Sequence, residues 1–179
     1  MRLRFVVAPP LTDELCESVI ELWTEVAAAG GAVGFAGPVT RTDVEPVARG
    51  ALSAVADGHD LLLAGYVGDK LTAMLFLVSH RFALQRHWRT VKRVMVHPGA
   101  QRNGYGAQLM REGERIARAH GYDALHLTVR EGTGVEEFYA VLGYQEVGRF
   151  PRALRLGPGD DRDEIQMWLP LGTSTRTAE

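Results

Sequence analysis

The sequence predicts an α/β fold: a mixed sheet with helices packed on both faces. Three observations carry this. Apolar runs of strand length and amphipathic runs of helical period succeed one another in the order β-α-α-β-β-β-α-β-α-β-β. Strands alternate with helices only in the second half, which makes the sheet mixed. The chain has 179 residues, 46% of them hydrophobic and 23% charged, an ordinary globular composition large enough for one domain with its own core.

The elements follow in order. "LRFVVAPP" is a first strand stopped by Pro9 and Pro10. Thr12 and Asp13 suit a helix start, and Leu15, Val19, Leu22, Trp23 and Val26 recur at helical spacing. The helix runs out in the glycine-rich "AAAGGAVGFAGP". Thr42 and Glu45 form a capping-box pattern before a second helix with the apolar face Val47, Ala51, Leu52 and Val55. "DLLLAGYV" and "KLTAMLFLVSH", joined by "GD", predict a hairpin whose second strand is apolar on both faces and therefore central. "TVKRVMVH" is the next strand. A helix from about Ala107 to His120 turns Leu109, Met110, Gly113, Ile116 and Ala117 inward, and Gly121 ends it. "YDALHLTVR" alternates, with Leu125, Leu127 and Val129 opposite His126, Thr128 and Arg130. Thr133 and Glu136 suggest a capping box for the short helix "VEEFYAVL". "YQEVGRF" and "EIQMWLPL" are the last strands, with the polar "PRALRLGPGDDRD" as a loop between them. "GTSTRTAE" is expected to be a frayed tail.

Composition excludes several functions. A formal net charge of −2 argues against nucleic acid as the main partner. Cys16 is the only cysteine, so an internal disulfide and a thiolate-rich zinc site are excluded; its amphipathic segment makes it a core residue rather than a nucleophile. His59, His80, His87 and His120 show no metal-ligand spacing, and no metal is expected. The N-terminus carries too short an apolar run for a signal peptide, and "LTAMLFLV" is too short to span a bilayer, so the expectation is a cytoplasmic protein without a membrane partner.

The stretch "VMVHPGAQRNGYGAQLM" holds most of the functional information. A strand leads through Pro98 into a basic, polar turn with Gly104 and Gly106, and a helix follows at once. A helix N-terminus offers backbone N–H groups and a positive dipole end, glycine lets the backbone approach a ligand closely, and Gln101 and Arg102 add side-chain donors. The physical reading is a pyrophosphate cradle; a plain glycine turn that starts a helix is the alternative. No Lys-Ser/Thr follows the glycines, as a Walker loop requires, and Leu109 stands where a dinucleotide fingerprint has its third glycine.

Val96, Pro98, Gln101, Gly104 and Gly106 resemble the acetyl-CoA motif of the GNAT-type N-acetyltransferases, and "EEFYAVLGYQEVG" resembles that family's second motif. The resemblance covers nearly the whole chain. It implies a single-domain acyl-CoA N-acyltransferase fold, with a mostly antiparallel sheet of about seven strands, over residues 1–172, followed by a tail at 173–179. "GGAVGFAG", "HLTVREGTGVEEFY" and "VGRFP" are similar to segments of the tabtoxin-resistance acetyltransferases. That implies an acceptor amine on a small amino-acid-like or antibiotic-like molecule, with Val33, Gly34 and Phe35 lining its pocket; a plain interhelix loop is the other reading of these three.

The resemblance further implies that acetyl-CoA lies with its pyrophosphate on Gln101, Arg102, Asn103, Gly104, Tyr105, Gly106 and Ala107, and its pantetheine arm on Val94, Met95 and Val96. The amine attacks directly. Tyr139 matches the position that protonates the leaving thiolate, or else is a core aromatic beside Phe138. The base is open. Acidic residues of the relatives stand where this chain has Thr90 and Thr128, and threonine is no base at neutral pH. A water relay positioned by Thr128, His126, His97 or Glu131 remain as candidates. Many relatives place an Asn where this chain has Gly132. The competing functions are a protein N-terminal or lysine acetyltransferase, a catalytically silent acetyl-CoA-binding module, and an unrelated nucleotide-binding protein. Monomer and homodimer are both open.

Overall fold

A computed structural model of the chain describes residues 3–172; the predicted tail at 173–179 lies outside them. The elements are β1 (Arg4–Val7), α1 (Asp13–Ala28), α2 (Arg41–Ala56), β2 (Leu61–Val67), β3 (Lys70–Val78), β4 (Trp88–Val96), α3 (Tyr105–Ala119), β5 (Ala124–Arg130), α4 (Val135–Val141), β6 (Gln145–Gly157) and β7 (Asp160–Pro170), the predicted order. Seven strands form one sheet in the order β1-β2-β3-β4-β5-β7-β6. β4 and β5 pair in parallel, whereas β1–β2, β2–β3, β5–β7 and β6–β7 are antiparallel. The contacts divide the chain into two compact units, residues 3–78 with 92–110, and 79–91 with 111–172.

In the first unit, Thr12 caps α1 by accepting the Leu15 amide at 3.2 Å, and Asp13 and Glu14 sit at the helix's positive end. The predicted face of α1 is buried, from Leu15 to Val26, and packs with Leu52, Leu62, Met74 and Phe76. Cys16 is half-buried against the same cluster. Every residue of β3 from Leu71 to Leu77 is buried, as a strand apolar on both faces must be. The β2–β3 turn is Gly68–Asp69, with Val67 opposite Lys70.

The start of α2 differs from expectation. Its cap is Thr40, whose amide and hydroxyl both donate to Asp43 Oδ2, at 2.9 and 2.6 Å. Glu45 pairs instead with Arg49 at 2.6 Å and Arg41 at 3.5 Å on the helix surface. The buried residues are Val44, Ala48 and Leu52, an i, i+4 row, and Val47 is exposed.

In the second unit, α4 is not opened by a capping box. Gly134 precedes it in the left-handed region, and the Thr133 hydroxyl donates to the Arg130 carbonyl at 2.9 Å, closing the end of β5. The segment read as a polar loop is strand. β6 and β7 form one long hairpin turning at Pro158–Gly159, with irregular register near Glu146, Phe150 and Arg155. β6 is an edge strand, where polar side chains and Pro151 are tolerated because one side needs no pairing. Asp161 holds it across the ladder, accepting from Arg155 at 2.8 Å and Arg152 at 3.1 Å.

Candidate active site

The first unit holds the predicted cofactor and acceptor segments. Gly31 follows α1 so closely that a Cβ there would meet Val26 Cγ1 at 2.7 Å, so only glycine fits. The next turn is fixed by Trp23, whose indole N–H donates to the Val33 carbonyl at 3.1 Å. Val33 is buried, Gly34 has φ +102°, and the Phe35 ring meets Trp23 edge-on at 6.4 Å.

Val94, Met95 and Val96 end β4, with Met95 buried in the core. Arg93 interrupts the strand at φ +55°. Its guanidinium lies 4.7 Å over the Trp23 ring, and its Nε is buried without a hydrogen-bond partner. Nothing in the sequence around Arg93 announces this.

Beyond Val96 the loop folds back on itself. Gln101 Nε2 donates to the Val96 carbonyl at 3.2 Å, and Asn103 Nδ2 donates to the Ala100 and Gln101 carbonyls at 3.0 and 3.2 Å. Both side chains hold the loop's shape, and one of the two Gln101 amide protons is used on the Val96 carbonyl. Arg102 (φ +64°) and Gly104 (φ +75°) make the turn in the left-handed region. The α3 ladder opens with the Gln108 amide donating to the Gly104 carbonyl at 3.1 Å, so the amides of Gly106 and Ala107 precede it. A Cβ on Gly104 would meet nothing within 4 Å, which leaves open space beside the helix start. The Arg102 guanidinium is exposed and makes no ion pair among the described residues. From Gln101 to Ala107 the chain carries donors and no carboxylate, a set that fits a diphosphate.

The second unit holds the predicted catalytic residues. Tyr139 is buried on α4, its ring edge-on to Tyr144 at 5.8 Å. Burial pushes its phenol up to about 12. Tyr144, buried against Glu114, is also raised, and its hydroxyl has no partner.

His126 is half-buried on β5 and belongs to a chain of polar groups. Its Nδ1 lies 3.3 Å from Thr90 Oγ1, and its Nε2 lies 2.8 Å from Gln166 Oε1. Thr90 Oγ1 is also 3.2 Å from His80 Nε2, and Gln166 Nε2 donates to Glu164 Oε2 at 3.2 Å. The Trp88 ring sits 3.8 Å from His80, 5.6 Å from His126 and 5.1 Å from Trp168. Sequence reasoning missed His80, Gln166 and Glu164. Glu164, Gln166 and Trp168 alternate with buried Ile165, Met167 and Leu169, and that period marked one face of a strand as polar.

The other predicted bases are engaged elsewhere. His97 Nδ1 accepts the Gly99 amide at 3.0 Å, and its Nε2 lies 3.1 Å from Glu25. Glu131 accepts the Asp163 amide at 3.3 Å and lies 3.5 Å from Arg149. Thr128 is exposed two residues from His126, on the same face of β5 but outside the polar chain.

A family model described as "Acetyltransferase (GNAT) family" matches residues 20–144. The chain belongs to the GNAT acetyltransferase family. A tRNA uridine(34) acetyltransferase of Methanocaldococcus infernus is 44% identical over 50 residues, 28% of this chain, and the match spans only 9% of that protein's length. Among solved structures, yncA of Salmonella typhimurium, determined with its cofactor acetyl-CoA, superposes with a TM-score of 0.74 at 15% identity, covering 96% of this chain and 95% of that one. A ribosomal-protein-alanine N-acetyltransferase of Brucella melitensis gives 0.76 at 16% identity, covering 95% and 99%. At these identities the structures establish the GNAT fold. Gln166 and Glu164 lie beyond the region that the family model matches.

Proposed function

We propose that this GNAT acetyltransferase moves an acetyl group from acetyl-CoA to the primary amine of a small amino-acid-like or antibiotic-like molecule, by direct attack. Acetyl-CoA supplies the activated thioester. The amides of Gly106 and Ala107, the α3 dipole and the Arg102 guanidinium hold its pyrophosphate, and the backbone of Val94, Met95 and Val96 lies along its arm. Asn103, Gly104 and Tyr105 complete the loop that carries them. Tyr139 gives its proton to the leaving sulfur. A phenol raised to about 12 stays protonated across the physiological range, so the proton is in place, although the same burial makes it a weaker donor than a free phenol.

The observation that carries the small-molecule reading is the anchoring of residues 33–35. The Trp23 indole ties the Val33 carbonyl, and Phe35 packs on the same ring. A segment pinned this way suits the fixed wall of a pocket better than the yielding edge of a peptide groove. The similar segments of the tabtoxin-resistance acetyltransferases support the same acceptor class. Acetylation of a protein N-terminus or lysine is the second reading, favoured by the fold shared with the ribosomal-protein-alanine enzyme.

The test is release of CoA from acetyl-CoA with α-amino acids, amino-acid antimetabolites and alanine-ended peptides offered in parallel. Turnover with the free amino compounds is the expected outcome. Turnover with peptides alone would move the assignment to protein acetylation. Acetyl-CoA binding without turnover on either set would leave a cofactor-binding module.

A further inference from the structure

We infer that Arg93 binds the carboxylate of the acceptor, so that the amine acetylated is that of an amino acid or of an analogue that keeps the acid group. This rests on the small-amine reading above and narrows it.

Every observation behind it lies in the first unit. β4 enters Arg93 from the exposed Lys92 and leaves it toward the buried Met95. At φ +55° any side chain is strained and glycine would be relaxed, so the backbone gives no reason for an arginine here. The side chain does. Its guanidinium lies 4.7 Å over the Trp23 ring. Trp23 and Met95 belong to one apolar cluster with Val26, Val33 and Phe76, and Phe35 packs against it. A charge beside such a cluster loses hydration. Burial pulls the guanidinium below its ordinary value, and attraction to Asp60, just before β2, offsets that only in part. Nε is buried and makes no hydrogen bond. The indole face attracts the cation but gives its N–H groups no oxygen to bond.

A carboxylate supplies what this environment withholds. It matches the planar fork of the guanidinium with two oxygens, and its charge compensates the half-buried cation. An amide carbonyl would take a single bond and leave the charge. A phosphate matches the fork as well, but the pyrophosphate of acetyl-CoA has its own donors in the loop from Arg102 to Ala107. The position favours the acceptor. The indole beneath Arg93 is the one that ties the Val33 carbonyl at 3.1 Å and meets Phe35 edge-on at 6.4 Å. One ring thus orders the segment read as the acceptor wall and carries the cation beside it.

Turnover reads the specificity. kcat/KM is measured for each α-amino acid of the panel, for its carboxamide and for its decarboxylated amine. Wild type should prefer the acid to the amide by roughly thirtyfold or more, the scale of a desolvated charge pair. Arg93→Met keeps an unbranched stem over Trp23 and removes the charge. Its acid-to-amide ratio should fall to near one, with the change carried by KM. Arg93→Lys keeps the charge without the fork and should give an intermediate ratio. Folding is read separately: the Tm of Arg93→Met should equal or exceed that of wild type, because a half-buried charge is removed. A lowered Tm with an unchanged ratio would make Arg93 a structural residue and overturn the inference.

NMR of the CoA-loaded chain labelled with 15N-arginine reads the site without turnover. The Arg93 Nε–H resonance, assigned by its loss in Arg93→Met, should shift on titration with the amino acids. It should stay in place with the amides, the amines and inorganic phosphate. No acid preference in wild type, or a phosphate shift as large as the amino-acid shift, overturns the inference. Should no amine be acetylated, the acceptor reading fails on its own and the resonance still decides: a shift specific to carboxylates keeps the site, and its absence removes it.

Discussion

Two buried tyrosines stand edge-on at 5.8 Å, and the chemistry asks different things of them. Tyr139 is raised to about 12 by burial alone. Tyr144 is raised by burial and by the neighbouring Glu114, and its hydroxyl is an orphan. If Tyr139 is the acid, Tyr139→Phe should cut kcat by about a hundredfold or more and leave acetyl-CoA affinity within about twofold. Tyr144→Phe removes a buried hydroxyl that satisfies nothing, so stability should stay within about 1 kcal/mol of wild type and turnover within about threefold. Steady-state kinetics with calorimetric cofactor titration separates the two. Equal loss of turnover in both variants would make the pair a packing unit and take the acid role from Tyr139.

At the scale of the element, the β6–β7 hairpin is the part that polarity disguised. Its arginines and aspartates resemble a loop in one dimension, and only the pairing of the strands shows them as cross-strand partners. Asp161 is held down to about 2, first by its hydrogen bond to Arg155 and then by Arg152. A carboxylate with a depressed folded value contributes stability that is fully present above the ordinary Asp range and is lost as pH falls through about 2. The difference in Tm between wild type and Asp161→Asn should therefore be largest near neutral pH and close as pH falls from about 4 toward 2. A difference that stays constant over that range would remove the ion pair from the hairpin's stability. The same one-dimensional limit explains the other misreadings. Thr40 and Asp43 sit at the same spacing as Thr42 and Glu45, and only the packing of Val44, Ala48 and Leu52 decides between them. Thr133 has a helix-start spacing but turns back to Arg130. Periodicity made the α1 face, the central β3 and the loop before α3 legible. The polar chain of His80, Thr90, His126 and Gln166 was not, because its members come from separate segments of the sequence that meet only in the fold.

For the whole molecule, fold and family point to acetyl-CoA as the ligand, and the loop assignment predicts how it is told from other phosphates. A loop without a carboxylate and with Arg102 exposed would attract any compact phosphate, and a net charge of −2 gives no general pull on anions. Discrimination must come from the rest of the ligand. Thermal unfolding with acetyl-CoA, CoA, ATP and NAD in parallel measures it. A ligand at about a hundred times its dissociation constant adds roughly 2.7 kcal/mol to the stability of the state that binds it. For a chain of this size that corresponds to a rise in Tm of about 5–10 °C. Acetyl-CoA and CoA should both produce it, since the pyrophosphate and the pantetheine arm are common to the two. ATP shares the phosphates but lacks the arm, so its shift should be small. A shift with ATP or NAD as large as that with acetyl-CoA would mean that the loop recognises phosphate alone and that Val94, Met95 and Val96 contribute nothing to binding. No shift with either CoA ligand would take the pyrophosphate from the α3 N-terminus altogether.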